Sequence, residues 1–228
     1  MNNSSPKTVV LKFGSSLLTS GSEELDTEQM ATVARTVAAS GERNVVIVSS
    51  GAVAAGFRAA GYVMPPTRTA ERQAAAAIGQ GRLMKLWSDA FQEVGLTVGQ
   101  VLLTNDCLRD RRRYVAARGV LSELLQAGVI PIVNENDTVR VDEIMVGDND
   151  NLAAMTASLV DADLLALLTD VPGVYDRDPD VDSGAQIVSC ASSAQELRAL
   201  CFGKKQAVST GGMETKLEAA ERAGRYGV

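Results

Sequence analysis

A chain of 228 residues, 46% hydrophobic and 22% charged, carries enough apolar material for one sizeable core, and a single domain is the default reading. Its net charge of −6 excludes a surface built for nucleic acid, which needs clustered positive charge. The count of histidines is 0, which removes the commonest general base, the commonest transition-metal ligand and every Ser-His-Asp or Cys-His arrangement.

The opening residues MNNSSPKTVV lack the charged and apolar regions of a signal peptide, and no apolar run reaches transmembrane length. A cytoplasmic location away from membranes is therefore expected. The first apolar run, Val9 to Phe13, contains Lys12 and leads into the small residues Gly14, Ser15 and Ser16. A lysine in a buried strand needs a charged partner, so Lys12 is a functional candidate, while the following glycine and serines also suit a tight turn. A helix is expected over Thr27 to Ser40, then a second strand over Asn44 to Ser50. Ser49, Ser50 and Gly51 close that strand and open a helix over Ala52 to Ala60, where an ordinary N-cap is expected.

An Ala-rich helix over Thr69 to Val94, with Gln73 to Gly81 and Trp87, reads as core or dimer interface. A strand at Val98 to Leu103 follows. Arg109 to Arg113 then open a helix reaching Ala127, where positive charge opposes the helix dipole; a solvated face is the expected reading, with a compensating anion or acidic partner as the alternative. A strand at Val129 to Val133 precedes the polar NENDT, and GDNDN opens a helix over Asn149 to Val160. GDNDN is not a calcium loop, since Ala153 stands where glycine is required and Leu159 where glutamate is. The acidic run Asp176 to Asp182 fails in the same way at Val181. A strand at Leu164 to Leu168 leads into Thr169, Asp170 and a Pro-Gly turn. A last helix spans Ala194 to Cys201, and Gly203 to Gly212 is expected to be the most mobile stretch. Cys107, Cys190 and Cys201 are widely spaced without a CxxC and read as reduced thiols.

Strand and helix alternate, and the strands are short, nearly continuous apolar runs. Both features imply an α/β fold, a three-layer α/β/α sandwich with a mostly parallel central sheet. Ligands of such sheets gather at the carboxyl ends of the strands, where the polar loops of this chain lie. Lys216, in STGGMETK, is a second lysine beside glycines. With Lys12 it forms a phosphate-handling layout that neither GxxxxGK[ST] nor GxGxxG explains. A chemistry without histidine fits this layout: phosphoryl transfer to a carboxylate, whose nucleophile is already ionised at neutral pH.

KFGSSLL, VIVSSGAVAAG, LLTNDCL, PIVNENDTV, VGDNDNLAA, LLTDVPGVYDRDP and STGGMETK occur in this order. The set resembles the glutamate 5-kinase family of the amino acid kinase superfamily, from about residue 8 to the end. The resemblance implies ATP-dependent phosphorylation of the γ-carboxylate of L-glutamate, the first step of proline synthesis, with Mg²⁺. It implies Lys12, Lys216 and Asp150 as the catalytic set, with Asp150 holding the two lysines. Ser50, Asp137 and Asn149 would bind glutamate, an acid meeting the ammonium and an amide the carboxylates. Lys12, Gly14, Ser15, Thr169, Asp170, Thr210, Gly211, Gly212, Met213, Glu214, Thr215 and Lys216 would meet the nucleotide, with no protein metal site. A homo-oligomer, dimer or tetramer, and hand-over of product to a glutamate 5-semialdehyde dehydrogenase are implied as partners. Family members usually continue through a further strand and helix, and many carry a PUA domain. Residues 1–228 are therefore expected to be an amino acid kinase domain short at its C-terminus. Alternative readings are a kinase for another small acid of the superfamily, or a non-catalytic amino-acid-binding protein of the same fold.

Overall fold

The computed structural model describes residues 7–41, 44–104, 110–139, 148–177, 181–202 and 212–228. The five apolar runs become β1 (Thr8–Phe13), β2 (Asn44–Ser49), β3 (Val98–Leu103), β4 (Ile130–Glu135) and β5 (Leu164–Leu168). They pair in parallel in the order β3-β4-β2-β1-β5. β4 runs two residues beyond its apolar stretch, because the backbones of Asn134 and Glu135 still pair with Leu102 and Leu103. Polar side chains at a strand end do not break the ladder.

The helices are α1 (Ser15–Thr19), α2 (Thr27–Ala39), α3 (Ala52–Gly56), α4 (Thr69–Gln92), α5 (Arg111–Gln126), α6 (Asp148–Leu159), α7 (Ala194–Phe202) and α8 (Gly212–Arg225). A 3-10 turn at Asp137–Val139 follows β4. α1 occupies the residues that also suited a tight turn. α3 is shorter than the expected helix: it gives way to a turn closed by Gly61 at φ +88°, with the Gly61 and Tyr62 N–H groups bonded to the carbonyls of Arg58 and Phe57. Its N-cap is Gly51 at φ 106°. Arg111, Arg112 and Arg113 at the start of α5 are exposed, as a solvated face requires, and the N-cap Asp110 carboxylate accepts from the Arg112 and Arg113 backbone N–H groups.

Strand side chains alternate between faces, and the core divides accordingly. Phe13, Val45, Ile47 and Ile132 pack with Met30, Leu83, Trp87 and Phe91 of α2 and α4. Val10, Val46, Val48 and Val133 pack with Leu121 of α5 and with Leu152 and Met155 of α6. Lys12 shares the parity of Val10, so it faces the α6 side. Ala154 of α6 meets Ala219 and Ala223 of α8, and these small contacts draw α8 close over β5.

α3 and α4 cross with almost no separation at Gly56 and Gly79. A Cβ on Gly79 would lie 1.8 Å from the Ala52 carbonyl oxygen, and one on Gly56 would lie 1.9 Å from that of Ala75. Both obstacles are backbone, so the helices themselves must move apart. Gly79→Ala is expected to destabilise the fold by about 1 to 3 kcal/mol, read as a lower urea midpoint at unchanged slope. Gly81→Ala is the control, since nothing lies within 4 Å of its Cβ position. A Gly79 variant as stable as the Gly81 control would contradict the close crossing.

Candidate active site

Four of the strand ends described above supply the site: Lys12 and Gly14 at β1, Ser49 and Ser50 at β2, Asn134 and Asp137 after β4, Thr169 and Asp170 after β5. The first turn of α6 adds Asn149 and Asp150, and the start of α8 adds Thr215 and Lys216.

Its centre is a buried carboxylate between two ammonium groups. Asp150 is 1% exposed; its Oδ1 lies 2.6 Å from Lys12 Nζ and its Oδ2 3.1 Å from Lys216 Nζ. Thr215 Oγ1 donates to the same Oδ2 at 3.0 Å. A carboxylate taken from water is tolerated only with such partners, and its place in the first turn of α6 adds the favourable end of the helix dipole. The cluster carries one positive charge more than negative charge, so it is built to meet an anion. Burial pushes the Lys12 ammonium below the ordinary lysine range; the Lys216 charge acts in the same direction, and Asp150 opposes both. Gly14 lies beside the ammonium: a Cβ there would meet Lys12 Nζ at 3.6 Å, an ordinary contact.

Beside this centre lies a second, uncharged cluster. Asn149 Nδ2 donates to Ser50 Oγ at 2.7 Å and to Asn134 Oδ1 at 3.0 Å. Asn134, 2% exposed, donates through Nδ2 to Gln80 Oε1 at 2.8 Å. Trp87 Nε1 donates to Ser49 Oγ at 2.9 Å, which anchors the end of β2 to α4. The adjacent residues Asn149 and Asp150 therefore serve different neighbours, one facing the amides and the other the lysines. Because the Asn149 amide nitrogen is committed to Ser50 and Asn134, the group it retains for a ligand is the buried carbonyl oxygen. That is the opposite polarity from the amide-to-carboxylate contact expected above.

Asp137 sits half-buried in the 3-10 turn, which packs against α4. Ser15 is exposed at the start of α1. Thr169 Oγ1 donates to Asp170 Oδ1 at 3.2 Å, and both lie at the same sheet end as Phe13 through the Phe13–Leu168 pairing. Gly212 and Met213 begin α8, and Glu214 is engaged by Arg198 of α7 at 2.8 Å, which ties the start of α8 down. Thr210, Gly211 and Arg109 lie outside the described residues, as does the stretch 203–211. Asn134 and Gln80 were not named individually: Asn134 opens the NENDT loop at the ligand end of the sheet, and Gln80 lies in the Ala-rich stretch read as core or dimer interface, although its position between two glycines is a signal of close approach.

Among the described residues, no three acidic or sulfur side chains gather to hold a metal, and no described helix is long and apolar enough to cross a membrane. The model of the Amino acid kinase family matches residues 7–228. Glutamate 5-kinase of Syntrophotalea carbinolica is 48% identical over 225 residues, covering 97% of this chain and 60% of that protein. The chain thus spans about 60% of the length of the curated relatives it matches. Among solved structures, the T. acidophilum isopentenyl phosphate kinase product complex aligns with a TM-score of 0.62 at 21% identity, over 96% of this chain and 87% of that one. Carbamate kinase from Giardia lamblia bound to AMP-PNP aligns with a TM-score of 0.64 at 18% identity, over 96% and 89%. These two likenesses concern the fold, which is the all-parallel layered sheet described above. By the family match over nearly its whole length, the chain belongs to the amino acid kinase family.

Proposed function

We propose that the protein is an ATP:L-glutamate 5-phosphotransferase of the cytoplasm, making γ-glutamyl phosphate and ADP for proline synthesis. The observation that carries this reading is the buried Lys12–Asp150–Lys216 centre set directly beside the Ser50–Asn149–Asn134 cluster. One half suits a polyphosphate and the other a small polar acceptor. Relatives bearing the name glutamate 5-kinase support glutamate as that acceptor.

In this mechanism an oxygen of the glutamate γ-carboxylate forms a bond to the γ-phosphorus as the bond to the ADP oxygen breaks. Lys12 and Lys216 neutralise the charge on the equatorial and bridging oxygens, and Asp150 fixes both ammonium groups before the substrate arrives. No residue of the chain needs to remove a proton, because the nucleophile is already ionised. When bound, Mg²⁺ would supply further neutralisation of the phosphate charge. The donor set fits a magnesium held through nucleotide oxygens and waters, since this ion dehydrates reluctantly and rarely needs an all-protein cage. Gly14, Thr169 and the start of α8 line the nucleotide side, while Ser50, Asp137 and Asn149 line the acceptor side. The acyl phosphate is a mixed anhydride that water destroys. Hand-over to a glutamate 5-semialdehyde dehydrogenase therefore belongs to the proposal, as does a homo-oligomeric state.

Asp137→Asn tests the acceptor side. The KM for glutamate is expected to rise by the equivalent of about 1.5 to 3 kcal/mol, one charge-assisted hydrogen bond to the ammonium, with the KM for ATP nearly unchanged. A selective rise in the ATP constant would move Asp137 to the other half of the site.

A further inference from the structure

The amide cluster has a polarity that the backbone dictates. The Glu135 N–H can only donate, and it donates to Asn134 Oδ1 at 2.9 Å. Asn134 must therefore turn its Nδ2 toward Gln80, whose Oε1 accepts at 2.8 Å. On the other side Asn149 must offer its Nδ2 to the same Asn134 oxygen, at 3.0 Å. The orientation of three amides follows from one main-chain donor. The chain then ends in a donor, Gln80 Nε2, and an acceptor, Asn149 Oδ1. Both atoms are buried, and neither has a hydrogen-bond partner among the described residues.

Buried polar atoms without partners are rare, and a pair of opposite polarity at the two ends of one network matches a ligand that has both an acceptor and a donor. The close crossing at Gly79 brings α4 against Ala52, next to the Ser50 end of β2, so Gln80 belongs to the acceptor half by construction. α4 also packs against the turn that carries Asp137.

We infer that Gln80 is a substrate-binding residue: its Nε2 donates to the α-carboxylate of the amino-acid acceptor. Its Oε1, through Asn134, holds the Asn149 carbonyl toward the ammonium. This inference rests on the glutamate kinase reading above. It gives the pocket a means of rejecting ω-amino acids that carry a reactive carboxylate and an ammonium but no α-carboxylate.

The test compares glutamate with 4-aminobutyrate, which keeps the reacting carboxylate and the ammonium and lacks only the α-carboxylate. Gln80→Glu keeps the oxygen that Asn134 needs and replaces the donor by a like charge. It is expected to raise the KM for glutamate about tenfold to a hundredfold. The ATP constant should stay within about twofold, and the inhibition constant of 4-aminobutyrate should be unchanged or lower. Gln80→Met, without a charge, guards against loss of folding in the first variant; it should raise the glutamate constant at least about tenfold more than that of 4-aminobutyrate. If the two constants move together, or neither moves, while the parent turns over glutamate normally, Gln80 does not read the α-carboxylate. If the parent shows no glutamate-dependent turnover, the kinase reading falls and this inference with it.

Discussion

Lys216→Ala is expected to lower kcat by about a hundredfold to a thousandfold with little change in melting temperature. Removing one fixed donor from a charged transition state is typically worth about 3 to 4 kcal/mol. The Lys216 side chain keeps 18% of its exposure, so its loss leaves a gap that water fills. Lys12→Ala should lower kcat by as much, but not so cleanly, because Lys12 lies in the buried strand β1 and is 5% exposed. Its removal takes the cation from Asp150 Oδ1 while Lys216 and Thr215 remain on Oδ2, so some loss of stability should accompany the loss of rate. Steady-state kinetics alongside thermal melts separates the two. Near-parental turnover in both variants would remove the lysines from the chemistry.

Asp150→Asn should damage both stability and rate. Taking the charge from the middle of the cluster leaves two ammonium groups facing each other with the more buried one uncompensated, and breaking a buried pair this way costs about 3 kcal/mol or more. The pH dependence has a definite sign. Burial already holds Lys12 below its ordinary range, and the Asp150 charge is what opposes that shift. In the variant the folded-state pKa of Lys12 therefore falls further below its unfolded value. Between those two values the unfolded state binds more protons, so the stability of the variant should rise with pH there and its deficit against the parent should shrink. If the protonated form of Lys12 is the active one, the alkaline limb of kcat should begin at lower pH in the variant. Denaturation and rate profiles over the same alkaline range check both statements; a deficit that grows with pH would show that Asp150 is not the counter-ion of Lys12.

Much of this was legible in the residues. The five strands show as short apolar runs because a sheet covered on both faces leaves no polar side to its strands. Lys12 stands out because a cation in such a run demands an anion, although the run alone does not say which of the many acids supplies it. The family resemblance names Asp150 as that acid, and the parity of β1 with the packing of α6 shows how the two meet. α1 and the 3-10 turn were not legible, since GSSLL and NDTV carry too few residues for a helical period to emerge. The end of α3 was missed because the Ala-rich pattern continues through residues that the chain uses for a glycine-closed turn. The amide cluster was the hardest to see. Asn134 continues an apolar strand, Gln80 interrupts an alanine helix, and their meeting depends on how closely α3 and α4 approach at Gly56 and Gly79, a feature that no local pattern encodes.

The central claim is that this site moves phosphate from ATP to the side-chain carboxylate of glutamate, and hydroxylamine trapping tests it most directly. With ATP, Mg²⁺, glutamate and hydroxylamine together, the acyl phosphate should be captured as γ-glutamyl hydroxamate in step with ADP release, and omission of glutamate or of ATP should abolish the signal. The same mixture with Lys216→Ala protein should give about one hundredth of the rate or less. ADP release that ignores glutamate, or hydroxamate formed from another acid and not from glutamate, would contradict the account.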